Sequence, residues 1–235
     1  MKILFKFPSR SRPEKFFQIV EKVYEFVEHD DWEIMATLDI DDPTTTTRTF
    51  KSIIDGYKKV RPIWGTSTGK VSAINRDLSF AGDFDILVLL SDDMWPMKGF
   101  GPEILRAYSS GFSGLAHFPD GVVNERLCTF TVMDRKYFDL FGWIYNPIYK
   151  SVYCDNEQHE LAVLMGRYKY IPVQIVRHLH PVYGMASTDE LYKRNEDPVL
   201  YGADYHTYIG QKENYFFYHK YMQKDGPLNL DPHHV

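Results

Sequence analysis

Over the first 90 residues, hydrophobic residues recur by turns at the spacing of a strand and at the spacing of a helix. This pattern predicts alternating strands and helices. Ile3, Phe5 and Phe7 occupy alternate positions of a short run that ends at Pro8, a pattern that predicts a strand. Pro13 opens a stretch whose apolar residues recur every three or four positions up to residue 27, which predicts a helix. The same criteria predict further strands at residues 32–38, 60–64 and 84–90, and helices at residues 49–57 and 71–80.

This order of strands and helices predicts an α/β fold with a mostly parallel, Rossmann-like sheet flanked by helices. Residues 84–90 form the most apolar run in the chain, and continuous hydrophobicity is typical of a strand buried on both faces. The run stops at Ser91-Asp92-Asp93.

Beyond residue 93 the pattern is less regular. It predicts helices at residues 102–108, 134–140 and 156–166, strands at residues 114–118 and 127–133, and an extended segment at residues 170–180. Residues 184–235 hold much of the aromatic content, and aromatic residues make up 16% of the chain. We expect one domain with an aromatic-rich C-terminal extension.

Composition narrows the class of protein. The chain has 235 residues, with 27 Lys and Arg against 32 Asp and Glu, and a net charge of −5. This balance disfavours a broad nucleic-acid-binding surface, which needs clustered basic residues. Two cysteines are too few for a disulfide framework, and no apolar stretch approaches the roughly 18 residues of a membrane span. We therefore expect a cytoplasmic protein without a membrane span.

Three polar loops follow predicted strands, at residues 8–12, 39–42 and 91–93. In open α/β sheets, ligands bind outside the carboxyl ends of the strands, so these loops are expected to face one crevice. With Lys70 counted beside the first loop, basic and acidic side chains meet there. A nucleoside diphosphate would pair with the basic side chains, and a divalent cation bound to it would pair with the acidic ones.

The candidate site residues have alternative interpretations. Asp92 and Asp93 either share a cation of the Mg²⁺ type or cap the next turn. His178 and His180 are two residues apart in an extended segment, so their side chains lie on one face. The pair either contributes a metal ligand or consists of ordinary half-exposed histidines. Asp155 is either a helix N-cap, with Gln158 as a capping-box-like partner, or a general base.

Several familiar motifs are absent. Residues 65–70 are too short for a P-loop, and no G-x-G-x-x-G follows the first strand. Residues 111–114 do not form a G-x-S-x-G nucleophile elbow, and no Cys/His spacing is typical of zinc.

The order of weaker motifs over residues 3–181 resembles nucleotide-sugar-dependent glycosyltransferases of the GT-A fold, of the broad family 2 type. Residues 3–13 are similar to the first strand and Pro/Ser/Arg loop, and residues 39–44 to the acidic segment that recognises uracil and ribose. Residues 69–76 resemble the helix over the nucleotide, and residues 89–93 the D-x-D metal motif, whose first aspartate is replaced here by Ser91.

The resemblance implies a hexosyl- or pentosyltransferase that inverts the anomeric carbon, most simply with a UDP-sugar donor and Mn²⁺ or Mg²⁺. It divides the chain into a catalytic domain at residues 1–183, with a nucleotide-binding half at 1–93 and an acceptor and metal half at 94–183, and an extension at 184–235. The implied donor-binding residues are Pro8, Ser9, Arg10, Arg12, Asp39, Asp41, Lys70, Asn75, Arg76, Ser91 and Asp92. The implied metal ligands are Asp93 and His180, and the implied base is Asp155 or Glu157, with Asp155 favoured.

Two other functions remain open at this point. One is a non-catalytic module that binds a nucleotide sugar or glycan, since Ser91 departs from the metal motif. The other is a nucleotidyltransferase, which normally has a glycine-rich loop after its first strand, whereas residues 8–13 contain no glycine. The acceptor is expected to be a glycan, a small molecule or a modified nucleobase, because aromatic faces stack on sugars and bases.

Overall fold

A seven-stranded sheet forms the centre of the fold in the computed structural model, which describes residues 1–222. Its strands, in chain order, are β1 (Ile3–Ser9), β2 (Trp32–Asp39), β3 (Val60–Gly65), β4 (Ile86–Leu89), β6 (Leu115–His117), β7 (Val132–Asp134) and β8 (Tyr168–Tyr170). Two further strands, β5 (Met94–Pro96) and β9 (Val176–His178), form a separate antiparallel ribbon. The sheet order is β3-β2-β1-β4-β7-β6-β8.

Helices cover both faces of this sheet. They are α1 (Pro13–Phe26), α2 (Arg48–Ile54), α3 (Lys70–Asn75), α4 (Phe100–Tyr108), α5 (Arg135–Phe141), α6 (Cys154–Leu164), α7 (Glu190–Asn195), α8 (Pro198–Glu213) and α9 (His219–Met222). Among residues 1–222, no helix is long and apolar enough to cross a membrane.

The predicted parallel half of the sheet is confirmed. Strands β3, β2, β1 and β4 are all parallel, and β1 pairs residue by residue with β2 from Ile3 opposite Trp32 to Ser9 opposite Leu38. Strand β7 is antiparallel to β4 and β6, so the sheet is mixed but mostly parallel. Helix α1 begins at Pro13, whose fixed φ suits the first helical position.

The two faces of the sheet bury two separate cores. Ile3, Phe5 and Phe7 point to the core beneath α1 and α4, whereas Leu4 points to the core beneath α3, α5 and α6. This alternation follows from the two-residue period of a strand. Because both faces are covered, β1 and β4 are apolar along almost their whole length.

Three predicted elements differ from the structure. The helix predicted at residues 71–80 ends at Asn75, because Asp77 adopts a left-handed φ of 71° before a short 3-10 helix at Leu78–Phe80. Of the strand predicted at residues 127–133, only its last two positions pair with a neighbour, within β7. The extended segment 170–180 contributes the last residue of β8 and all of β9.

The described part of the extension packs on the second core. Tyr208 of α8 and Phe216 are buried there, and α8 lies against α6. Tyr215, Phe216 and Phe217 each have a φ near +50°, a left-handed turn that is costly for residues with a side chain. Burial of Phe216 offsets that cost.

Candidate functional site

A cavity of about 350 Å³ opens at the carboxyl ends of β1, β2 and β4. This is the place where ligands bind in open α/β sheets. The predicted site residues that line it are Pro8, Ser9, Arg10, Arg12, Asp39, Lys70, Ser91, Asp92, Asp93, Asp155 and His180. Parallel register brings together those at the ends of β1, β2 and β4, whereas Lys70 lies in α3, Asp155 in α6 and His180 just after β9.

Asp39 ends β2 and is held by two arginines. Arg10 Nη1 donates to Asp39 Oδ2 at 3.0 Å, and Arg76 Nη1 donates to Asp39 Oδ1 at 3.0 Å. Ser67 Oγ donates to the same Oδ1 at 2.7 Å. Both carboxylate oxygens of this buried side chain are therefore fixed in position at the cavity wall.

Four of the predicted residues lie outside the cavity lining: Asp41, Asn75, Arg76 and Glu157. Asp41 is exposed and forms a two-pronged ion pair with Arg10, at 2.5 and 3.1 Å. Arg76 supports Asp39 and also donates to Leu38 O at 2.8 Å.

Both polar atoms of the Asn75 side chain form hydrogen bonds with the protein backbone. Its Nδ2 donates to Tyr145 O at 2.5 Å, and its Oδ1 accepts from the backbone of Ile144 and Tyr145 at 3.0 and 3.2 Å. Asn75 thus ties α3 to the segment that follows α5.

Glu157 is likewise turned away from the cavity. It accepts hydrogen bonds from Asn146 Nδ2 at 2.7 Å and from Tyr149 Oη at 2.6 Å. Burial raises the pKa of Glu157, and these two hydrogen bonds oppose that rise. Of the two candidates for the base, only Asp155 faces the cavity.

The N-cap interpretation of Asp155 is wrong. Helix α6 is preceded by Tyr153, and within residues 1–222 the Asp155 carboxylate accepts a hydrogen bond only from Asn156 N, at 3.0 Å. Gln158 is no capping partner, because it accepts from Thr131 Oγ1 at 2.8 Å and donates to Ile144 O. Asp155 is free of a capping role and available to the cavity.

Arg12 joins two distant carboxylates across the cavity. Its Nη1 donates to Asp92 Oδ1 at 2.6 Å, and its Nε and Nη2 donate to the two oxygens of Asp189 at 2.6 Å each. Burial raises the pKa of Asp92 to about 6, with the Arg12 charge acting in the opposite direction. Asp189 also caps α7 by accepting from Tyr192 N at 2.8 Å.

Asp93 contacts the ribbon that β5 and β9 form. Its Oδ1 accepts from Ser91 Oγ at 2.5 Å, and its Oδ2 lies 3.7 Å from His178 Nε2. His178 Nδ1 contacts Asp120 Oδ2 at 3.0 Å. Burial lowers the pKa of His178, but the two carboxylates outweigh burial and raise it to about 9. Burial would raise the pKa of Asp93, yet His178 and Ser91 hold it below its ordinary value.

His180 lies beside His178, with ring centroids 4.9 Å apart, as the two-residue alternation predicts. Its Nδ1 accepts from Val182 N at 3.3 Å, which leaves Nε2 to the cavity. Residues 1–222 contain no cluster of three His, Cys, Asp or Glu side chains arranged for a metal. A carboxylate and an imidazole still fit a Mg²⁺- or Mn²⁺-type ion, which usually takes only one or two protein carboxylates and completes its shell with water and phosphate oxygens.

Lys70, the first residue of α3, lines the same cavity. Within residues 1–222 its ammonium forms no hydrogen bond or ion pair with another side chain, unlike Arg10 and Arg12. Asp93, Asp155 and Glu196 supply negative charge around it. Lys70 is therefore a cation available to an anionic ligand.

Sequence reasoning missed several residues of the site. Asp120 and Asp189 hold His178 and Arg12, and Tyr153 and Glu196 line the cavity. Asp189 carried a usable signal, since an aspartate before an apolar-periodic stretch is a typical N-cap. At Asp120 the sequence shows only an Asp-Gly turn pattern, which does not indicate a functional role.

Comparison with solved structures identifies the fold. The mannosyltransferase PcManGT from Pyrobaculum calidifontis, solved with GDP-Man and Mn2+, aligns at a TM-score of 0.58 and 13% identity over 74% of this chain and 55% of its own. S. aureus TarS 1-349 solved with UDP-GlcNAc aligns at a TM-score of 0.62 and 10% identity, over 81% of this chain and 60% of its own. The chain has the GT-A fold.

The GT-A likeness rests on structure alone. No family model matches the sequence, and no curated protein matches it. The chain spans 55% and 60% of the lengths of the PcManGT and TarS 1-349 structures. The expected fold class is thereby confirmed.

Proposed function

We propose that this chain is a glycosyltransferase that moves a sugar from a nucleotide-sugar donor to an acceptor hydroxyl. The observation that carries the proposal is one cavity lined by the cations Arg12 and Lys70, by Asp93 and His180, and by Asp155. The structures it resembles were solved with GDP-Man, UDP-GlcNAc or UDP, which supports a nucleotide-sugar donor. UDP is the first nucleotide to test.

The donor is proposed to bind across the ends of β1, β2 and β4. Asp39, fixed by Arg10 and Arg76, would accept hydrogen bonds from the base or ribose. Lys70 and Arg12 would contact the diphosphate, Lys70 directly and Arg12 by exchanging a carboxylate partner for phosphate. Asn75 and Glu157 act by holding backbone and neighbouring side chains in place.

Asp93 and His180 would hold the divalent cation. When bound, such an ion neutralises charge that develops on a leaving diphosphate. Lys70 contributes in the same direction, because it is positioned before the reaction, and Arg12 does so once it has exchanged a carboxylate partner for phosphate.

Asp155 is proposed as the general base. It would take the proton of the acceptor hydroxyl while that oxygen forms a bond to the anomeric carbon. The bond from the anomeric carbon to the diphosphate breaks, and its electron pair leaves with the nucleotide. A single displacement of this kind inverts the anomeric configuration.

The first prediction concerns the two essential carboxylates. The purified chain, given Mn²⁺ with UDP-glucose, UDP-galactose, UDP-GlcNAc or GDP-mannose, should release nucleotide slowly with water as acceptor. Asp155→Asn should lower that release at least about 100-fold, the scale of a lost general base, and Asp93→Asn should lower it to a similar degree because the cation would lose its carboxylate ligand. Asp139→Asn, a half-exposed aspartate of α5 that lies outside the cavity, is the matched control and should release nucleotide at the normal rate.

Retention of near-normal release by either site variant would remove that residue from its proposed role. Binding of a nucleotide sugar by calorimetry, with no nucleotide release on any acceptor tried, would favour the non-catalytic binding module instead. Circular dichroism melts of all three variants separate loss of activity from loss of fold.

A further inference from the structure

Four tyrosines, Tyr153, Tyr201, Tyr205 and Tyr208, pack together as one wall, and two of them, Tyr153 and Tyr201, line the cavity. We propose that this tyrosine wall binds the acceptor, and that the acceptor is a carbohydrate whose ring stacks on it. The proposal rests on the transferase function above and specifies its second substrate.

The wall is built by the spacing of α8. Tyr201, Tyr205 and Tyr208 are four and three residues apart, so all three lie on the same face of the helix. That face is turned toward Tyr153, whose ring centroid lies 5.2, 5.4 and 5.4 Å from those of Tyr201, Tyr205 and Tyr208.

The back of the wall is fixed. Tyr208 is only 8% exposed, and its hydroxyl contacts Glu160 and Lys212, which also pair with each other. Tyr153 has a left-handed φ of 61°, a conformation that side chains rarely adopt outside turns and functional sites. An ordered aromatic surface loses little conformational entropy when a ligand binds.

The front of the wall is open. Tyr201 and Tyr205 remain 44% and 43% exposed although they stand in an aromatic cluster, and both Tyr153 and Tyr201 line the cavity. Asp155 follows Tyr153 by two residues and lines the same cavity. A ring that stacks on Tyr153 or Tyr201 would therefore have its hydroxyls next to the proposed base.

Charge favours a carbohydrate over a nucleic acid as the occupant. Four Lys or Arg side chains, two histidines and five carboxylates line the cavity, and a donor diphosphate together with its divalent cation would add no net positive charge. No surplus of positive charge is left for the phosphates of a polynucleotide, which require neutralisation by Lys or Arg. A sugar is uncharged, presents an apolar ring face to tyrosine and carries the hydroxyl that the reaction needs.

The test is binding of the full chain, with UDP and Mn²⁺ present, to an array of oligosaccharides and to a 12-nucleotide single-stranded DNA. The array should include hexose, pentose, deoxyhexose and N-acetylhexosamine ends. The wild-type chain should bind at least one oligosaccharide. Tyr201→Ala and Tyr205→Ala should weaken that binding about tenfold, or about 1.4 kcal/mol.

Two further variants control for structure. Tyr201→Phe keeps the ring and should bind nearly as the wild type, which separates stacking from general damage. Tyr215→Ala removes a tyrosine that is 65% exposed and outside the wall, and should leave oligosaccharide binding unchanged.

Three results would overturn the proposal: an array with no bound oligosaccharide, binding that Tyr201→Ala does not weaken, or tighter binding of the DNA with the same tyrosine dependence. If the array is blank while nucleotide release still depends on Asp93, the transferase function stands and the tyrosine wall fails. Tyrosine-dependent glycan binding with no release from any donor would contradict the transferase function and keep the binding site.

Discussion

Lys6 is the most unusual single residue in the sheet. It lies within β1, is completely buried, and donates to Thr37 Oγ1 and to Arg76 O, the latter at 2.6 Å. Thr37 Oγ1 in turn donates to Asp77 at 3.0 Å. Because the Arg76 guanidinium holds Asp39, Lys6 fixes the backbone of the residue that orients a cavity carboxylate.

The buried Lys6 ammonium gives a pH-dependent contribution to stability. Burial lowers the pKa of Lys6 to about 7, with the Asp77 charge acting in the opposite direction, whereas the unfolded chain has a lysine pKa near 10.4. Between these two values the unfolded chain binds the extra proton, so the free energy of unfolding rises with pH, by up to about 1.4 kcal/mol per pH unit. Urea unfolding curves recorded at pH 6, 7, 8 and 9 measure this rise in the free energy of unfolding.

Lys6→Met removes the titrating group and keeps the length of the side chain. The difference in unfolding free energy, wild type minus Lys6→Met, should increase from pH 7 to pH 9 and be flat below pH 6. A difference that is constant over the whole range would show that Lys6 keeps its ordinary pKa in the folded chain.

At the scale of elements, α8 holds the segment that leads into α6. Asp204 of α8 is buried and accepts hydrogen bonds from the backbone N–H groups of Lys150, Ser151 and Val152, at 2.7–3.2 Å. Ser151 Oγ also donates to Asn195 O at 2.6 Å. The position of Tyr153 and Asp155 therefore depends on a helix some 50 residues later in the chain.

Asp204→Asn should destabilise the fold by roughly 2 kcal/mol, because hydrogen bonds to a charged acceptor are lost and an amide N–H₂ faces backbone donors. Nucleotide release should fall as well, since Asp155 loses its support. Urea melts and the release assay measure the two effects. Glu213→Gln, at the exposed end of the same helix, should change neither one.

The periodicity of the sequence predicted the first half of the fold well because its signals are local. Strands β1, β2 and β4 are apolar on both faces, and the connections between β1, β2, β3 and β4 each contain a helix with buried apolar residues. The second half depends on pairings between distant segments, such as β6 with β8 and β5 with β9. Strands of three residues carry too little pattern to predict such pairings.

The location of the site was predictable from the sequence, but the orientation of its side chains was not. Polar residues at the ends of β1, β2 and β4 were expected to meet, because parallel strands place their carboxyl ends together. Which side chains point inward was not predictable, since Asn75 and Glu157 are turned away by hydrogen bonds to residues 144–149. Arg12 and Asp189 are 177 positions apart, and nothing in either segment signals the contact.

At the scale of the whole molecule, donor and cation should stabilise the chain together. A ligand that binds only the folded state adds about 2.7 kcal/mol at 100 times its dissociation constant. UDP with Mn²⁺ should therefore raise the melting temperature of the wild type more than UDP with EDTA does. Differential scanning fluorimetry measures both shifts.

Asp93→Asn should abolish the extra shift that Mn²⁺ gives and keep part of the shift that UDP gives alone. Asp139→Asn should show both shifts in full. An equal Mn²⁺ effect in Asp93→Asn and the wild type would place the cation elsewhere in the protein.

The Arg12–Asp189 and Asp204 contacts have a consequence for how the protein is made. Residues 1–93, with Arg12, leave the ribosome long before residues 189–204 do. The strands that carry the donor-facing loops are therefore synthesised before Asp189 and Asp204. Contacts of such high sequence separation also form late in folding because the loop they close is long. A nascent chain halted before α8 should therefore have the buried strands of the sheet but no competent cavity, and the ability to react should arise only once α8 has been synthesised.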